Sequence, residues 1–211
     1  MLLNRFGALG AALLLSGCTG LATLNAVTTP KDLYELTPKS SYDPGLPQLN
    51  AQLVIEEPTA AAGLNTDRIA VKPNPFAVQY FPKSGWVDRA PLMVQTLLVE
   101  SFENTGKVRS VGRQAIGLSA DYTLLTDLRE FQARLVPNGG SDILVQVQLN
   151  MKIVEEPRGV IIASESFGFE TPAASGEMLD VVAAFDEALG KTMRSAVDWA
   201  VVQSAAAAAK R

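Results

Sequence analysis

Between Ile143 and Ile153 every second residue is apolar: Ile143, Val145, Val147, Leu149, Met151 and Ile153. Gln146, Gln148, Asn150 and Lys152 fill the alternate positions. A period of two sends all the apolar side chains to one face of a strand. One face of the sheet must therefore be covered and the other wetted, the mark of an antiparallel sheet packed on one side.

The preceding stretch changes phase. Tyr122, Leu124 and Leu128 share one parity, whereas Phe131, Ala133 and Leu135 share the other. One extra residue inside a single strand produces that slip, so a β-bulge is predicted between Leu128 and Glu130. Pro137-Asn-Gly-Gly140 and Glu155-Glu-Pro-Arg-Gly159 read as the hairpin loops on either side of the alternating strand. Earlier strands are predicted at 32–37, 52–58, 66–73 and 76–81, a turn at 82–85, a short strand at 108–111 and a last one at 160–170.

Two helices supply the cover. Asp88 is the predicted N-cap of the first, with Pro91 in its first turn, Val94, Leu97, Leu98 and Phe102 along one face, and Gly106 as its stop. Met178, Val182, Phe185, Leu189, Met193, Ala196 and Ala200 form the stripe of the second, which Ser175 is expected to cap. The fold class expected is α+β, a two-layer sandwich of a mostly antiparallel sheet with two main amphipathic helices on one face. That domain is assigned to residues 32–204, with 205–211 as a flexible tail.

The first 17 residues have a different plan. Arg5 precedes ten residues, Phe6 to Leu15, that are apolar or small, and Ser16-Gly17 close the segment. This is the layout of a secretory signal, and the stretch is too short for a bilayer span of roughly 20 residues. Leu15-Ser16-Gly17-Cys18 resembles the bacterial lipobox, which implies cleavage between Gly17 and Cys18 and lipid attachment to the Cys18 sulfur. The alternative is an ordinary cleaved signal with Cys18 left as a stray thiol. Residues 18–31 then read as a lipidated tether, and Thr19, in place of an Asp, resembles an outer-membrane sorting signal.

Composition removes several function classes. The 211 residues include one Cys and no His, so an internal disulfide, Ser-His-Asp and Cys-His catalysis and most zinc sites are out of reach. Net charge is −4, and no Lys/Arg-rich run exists, which argues against nucleic acid as a partner. There is no Gly-x-x-x-x-Gly-Lys loop for nucleotide phosphates. No catalytic residue, metal ligand or cofactor is assigned.

A further set of residues carries a family resemblance. In order, these are Tyr34-Glu-Leu36, Leu53 to Glu57, Asp67-Arg68-Ile69, Tyr80-Phe81, Gly85-Trp86, Arg89-Ala-Pro-Leu92, Tyr122 to Phe131 with Asp127, then Phe167 and Val197-Asp-Trp199. Their order, spacing and coupling to the lipobox resemble the auxiliary lipoproteins of ABC-type transporters. Those are partners of MCE-domain (mammalian-cell-entry) lipid shuttles and include the paraquat-inducible lipoprotein group. The resemblance implies a non-enzymatic envelope component that works beside an MCE protein and an ABC permease and ATPase. It also implies a lipid anchor in the outer membrane facing the periplasm, and it leaves a homo-oligomer open. Another reading is a structural or regulatory envelope lipoprotein, such as an activator of cell-wall synthases. A hydrolase using Ser-Lys or carboxylate chemistry is formally open but has no signature.

Within the domain, Tyr80, Phe81 and Trp86 are the candidate partner-binding residues, because aromatics anchor interfaces. The same three residues could instead plug one end of the sheet, and core packing carries more weight. Trp199 is expected beside the second helix's stripe. Asp127, Arg129 and Glu130 read as a solvated face rather than a catalytic cluster.

Overall fold

The computed structural model describes residues 30–113, 119–136, 143–156 and 158–210. Cys18 and the segments 1–17 and 18–29 lie outside the described residues, as does the loop predicted at Pro137 to Gly140. A compact unit begins at Lys31.

The described residues form ten strands and two helices in the order β1 Asp32–Tyr34, β2 Leu49–Ile55, β3 Thr59–Ala60, β4 Ala70–Asn74, β5 Ala77–Tyr80, β6 Ser84–Trp86, α1 Ala90–Asn104, β7 Val108–Arg113, β8 Tyr122–Leu135, β9 Ile143–Glu155, β10 Val160–Pro172 and α2 Met178–Ala208. The main sheet runs β10-β9-β8-β2-β7, with β3 and β4 also joined to β8, and β5 joined to β4. β1 and β6 form a separate parallel pair.

The long C-terminal strands behave as their period requires. β8, β9 and β10 form an antiparallel meander, and Val145, Val147, Leu149, Met151 and Ile153 are all fully buried. The pairing of β8 with β9 steps from Leu128↔Leu149 to Glu130↔Gln148, which leaves Arg129 as the extra residue of a bulge. That is the position at which the phase of the sequence changes. The bulge keeps Leu128 and Phe131, three residues apart, on the buried side.

The expectation of a mostly antiparallel sheet is corrected: the sheet is mixed. β2 runs parallel to both β7 and β8, and β3 and β4 are parallel to β8. Alternation reports which face is covered, not which way the neighbouring strand runs. β2 and β7 are separated by a long connection that contains α1, and such a crossover permits parallel return. One edge of β8 is paired in turn by three short strands, at Tyr122–Leu124, at Asp127–Leu128 and at Ala133–Arg134. Pro58, between β2 and β3, has no N–H to continue a ladder and accounts for part of that segmentation.

Both helices contribute to one hydrophobic core with the odd positions of β9. Val94, Leu98 and Phe102 of α1 are fully buried, as are Phe185, Leu189, Met193 and Val197 of α2. Gln95 lies among these apolar residues, and its Nε2 donates to the Ile55 carbonyl at 2.9 Å, so its polar end is satisfied where β2 stops.

The helix ends differ from the reading of the sequence. Arg89, not Asp88, is the N-cap of α1, and no side chain caps it. The Ala90 amide is instead taken by the Thr66 carbonyl at 3.0 Å. Glu177 is the N-cap of α2; Ser175 lies two residues ahead, where its Oγ accepts from the Glu177 amide. Gly106 does terminate α1, adopting φ 61°, a left-handed conformation that glycine tolerates without a Cβ clash. At the other terminus α2 continues to Ala208. The alanine run to Ala208 is helical, as alanine's helix propensity favours.

One polar group in this core region is poorly placed. Asp198 Oδ1 is buried and has no hydrogen-bond partner among the described residues. Burial pushes its carboxyl above the ordinary aspartate value, Arg194 opposes the shift and Asp43 adds to it. The protonated form therefore favours folding, a contribution present below pH 3.8 and lost as pH rises through the raised value. Asp198→Asn should raise the melting temperature at pH 7, and the advantage should shrink on acidification; thermal melts at both pH values check it.

Candidate interaction surface

Four of the motifs that carry the family resemblance meet at one place. The segment after β3 turns through Leu64 to Ile69, and three later pieces of chain bond to it. The Trp86 amide donates to the Asp67 carbonyl at 2.7 Å, the Phe81 amide to the Ile69 carbonyl at 3.0 Å, and the Ala90 amide to Thr66. Arg89 reaches the Asn65 side chain at 2.6 Å and Glu57 at 2.8 Å. Asp67-Arg68-Ile69, Tyr80-Phe81, Gly85-Trp86 and Arg89 are thus one backbone knot that ties the β4–β5 hairpin to the start of α1. Their role is architectural.

The chain enters its compact unit at this knot. Lys31 Nζ donates to Asp67 Oδ2 at 2.7 Å, and the Asp32 amide donates to the Lys83 carbonyl at 2.9 Å. The Lys31 ammonium holds the Asp67 carboxyl below its ordinary value. Gly85 makes this crossing feasible. A Cβ there would come within 1.8 Å of Lys31 Cε and 2.8 Å of the Asp67 carbonyl oxygen. The lysine end can swing away, but the carbonyl is backbone and already holds the Trp86 amide. Gly85→Ala should therefore cost about 1–3 kcal/mol as an overpacked contact, read as a lower midpoint in denaturant unfolding.

The three candidate aromatics separate. Trp86 is only 1% exposed and stacks with Phe131 and Phe185 at centroid distances of 5.6 and 5.2 Å. It is a core residue, and its place in an exposed recognition patch is corrected. β6 pairs with β1, and its Trp86 ring turns inward onto Phe131 of β8 and Phe185 of α2, where burial is most favourable. Tyr80 and Phe81 are half-buried and packed against the core's margin. The Tyr80 hydroxyl donates to the Gly63 carbonyl at 3.1 Å, and the Arg68 guanidinium lies 3.6 Å over its ring. Trp199 packs on Phe167 with centroids 5.4 Å apart.

Among the described aromatic residues the most exposed is Phe76, 98% exposed at the tip of the β4–β5 hairpin. Asn74-Pro75 before it is a turn signal, so its position was readable; assigning Phe76 to a strand hid it. The Phe76 amide donates to Asn74 Oδ1 at 3.0 Å, which fixes the tip.

Two clefts flank the fold. One of about 460 Å³ lies between Glu35–Pro38 and α1, where Glu35, Asp88 and Glu100 surround Leu36, Val87 and Met93. The other, about 310 Å³, lies on the wetted sheet face between Glu56, Glu57, Asp127, Asn150 and Lys152. Asp127 bonds Arg129 at 3.2 Å and Glu130 bonds Lys72 at 3.1 Å, so these charges pair across the surface. Among the described residues no three carboxylates or other ligands are grouped to hold a metal ion.

A family model described as the ABC-type transport auxiliary lipoprotein component matches residues 33–197. The chain belongs to that family. A lipoprotein family places this auxiliary component in the cell envelope at a membrane, and no described helix is long and apolar enough to cross one. An uncharacterized protein of Bradyrhizobium diazoefficiens is 32% identical over 175 residues, covering 82% of this chain but 45% of that protein. The chain thus spans less than half the length of the curated relative it matches. A crystal structure of a Xanthomonas campestris protein of family DUF330 superposes with a TM-score of 0.78 at 28% identity, covering 84% of this chain and 98% of that one. A hypothetical protein of Chlamydia trachomatis shares the fold alone, with a TM-score of 0.52 at 7% identity over 74% of this chain and 99% of that one.

Proposed function

We propose that this auxiliary component is an outer-membrane-anchored, non-enzymatic periplasmic lipoprotein. It would serve an MCE-type shuttle that moves phospholipid or another hydrophobic solute. Cys18 would carry the acyl chains, cleavage would fall between Gly17 and Cys18, and Tyr80 and Phe81 would border the partner-facing side. Signal, tether, folded body and tail would occupy 1–17, 18–31, 32–204 and 205–211, and assembly as a homo-oligomer fits the same role.

The observation that carries this reading is the seating of the family's matched residues immediately behind a lipobox. The match begins at residue 33 and the compact unit at Lys31. Twelve residues, 19–30, therefore separate Cys18 from the body, a span of at most roughly 40 Å when extended. Acylation there would hold the domain close to a bilayer. Lacking histidine and a nucleotide loop, the chain would bind and position while a separate ATPase supplies energy.

Affinity purification of the full chain from envelopes solubilised in mild detergent tests the assignment. An MCE-domain protein recovered with its permease and ATPase is the expected result. Recovery of cell-wall synthases in their place would overturn it in favour of the regulatory reading.

A further inference from the structure

We propose that the β4–β5 hairpin is a second membrane contact, with Phe76 inserting into the headgroup–acyl boundary of the bilayer that holds the acylated N-terminus. This rests on the anchoring of Cys18 proposed above and adds a surface of the folded body to it. A solitary exposed apolar residue is ordinary on a protein surface. Three further observations set this one apart.

The tip is built to present its side chain. β4 and β5 pair from Ala70↔Tyr80 to Asn74↔Ala77. Pro73 stiffens the ascending arm and Pro75 the turn, and the Asn74 side chain pins the Phe76 amide. Val78 on the descending arm is 46% exposed, so the ring does not stand alone.

The charge around it suits anionic headgroups. From residue 68 to 83 the chain holds Arg68, Lys72 and Lys83 and no acidic residue, in a protein whose net charge is −4. Lys72 is joined to Glu130 and Arg68 lies on Tyr80, but Lys83 makes no ion pair among the described residues. The acids at the hairpin's base are Asp67, neutralised by Lys31, and Asp32.

The tether ends at the hairpin's foot. Lys31 and Asp32 bond to Asp67 and Lys83, at the base from which the hairpin rises. Phe76 lies four positions before Tyr80, roughly 13 Å of strand, while the twelve-residue tether reaches roughly 40 Å. Anchor and tip can therefore engage one bilayer together, and the anchor's high effective concentration makes a weak second contact count. Partial burial of one phenyl ring then favours the docked orientation by about tenfold.

The test uses the full, processed chain in phosphatidylethanolamine–phosphatidylglycerol vesicles, with Phe76→Trp as the probe and the unsubstituted protein subtracted. The expected result is a blue-shifted added emission that brominated acyl chains quench. Added emission that stays at the wavelength of tryptophan in water and is quenched by iodide, with the protein still vesicle-bound, would overturn the contact. A blue shift that neither iodide nor brominated chains quench, as burial against a second copy or in a protein pocket would give, would overturn it as well. Mass spectrometry of the same sample keeps the two readings apart. A bare Cys18 sulfur overturns the anchor and the contact with it, whereas an acylated chain with a wetted probe overturns the contact alone.

Discussion

Cys18→Ser should accumulate as an uncleaved precursor and lose its place at the membrane. Under the lipobox proposed above the chemistry would depend on sulfur: a thiolate is a far better nucleophile at neutral pH than a serine hydroxyl, and a lipobox signal is cut only once the thioether has formed. No compensating group exists, since Cys18 is the one cysteine in 211 residues. One acyl chain binds a bilayer marginally and two or three bind it stably, so the effect is close to all-or-none. Intact mass and the membrane fraction retained after a high-salt wash check it together. A variant that is trimmed before residue 18 and stays membrane-bound would rule out the lipobox reading.

Some of the structure could be read from the sequence because its signal was local. The bulge at Arg129 shows as a change of parity between Leu128 and Phe131, a property of one strand alone. The stripe of α2 and the stop at Gly106 were equally local, and α2 proved wider than its stripe, burying Val181, Ala184, Ala188 and Val197 as well. Strand direction was not local. Whether β2 lies parallel to β8 depends on how the chain between them returns, and nothing in Leu49–Ile55 records that. β3 has two residues and no period to detect.

The aromatics show a second limit. Hydrophobicity cannot say which of Phe76, Tyr80, Phe81 and Trp86 is inside, because all four lie in one proline- and glycine-punctuated stretch. Their fates are set by long-range bonds. Gly85 lets Lys31 and the Asp67 carbonyl close over β6, which fixes Trp86 inward. Asn74-Pro75 makes the turn that throws Phe76 outward.

That inward placement gives the largest stability effect expected of any single core change. Trp86 from β6, Phe131 from β8 just past the bulge and Phe185 from α2 pack in mutual contact, with Phe131 and Phe185 centroids 5.1 Å apart. The Trp86–Phe185 pair is edge-on, at an interplanar angle of 80°, an arrangement that adds to simple burial. Three elements distant in sequence are held by one trio, so truncating its largest member leaves a cavity that none of them can close alone. Trp86→Ala should cost about 3–5 kcal/mol, a large share of the 5–15 kcal/mol typical of a domain, and lower the melting temperature by roughly 10 °C or more. Phe76→Ala, by contrast, should change folding stability by less than about 0.5 kcal/mol, because an exposed ring forfeits little on truncation. Guanidinium unfolding of the two variants side by side separates the ring that holds the fold from the ring that is offered outward. Equal midpoints would mean that the trio does not join the helix to the sheet.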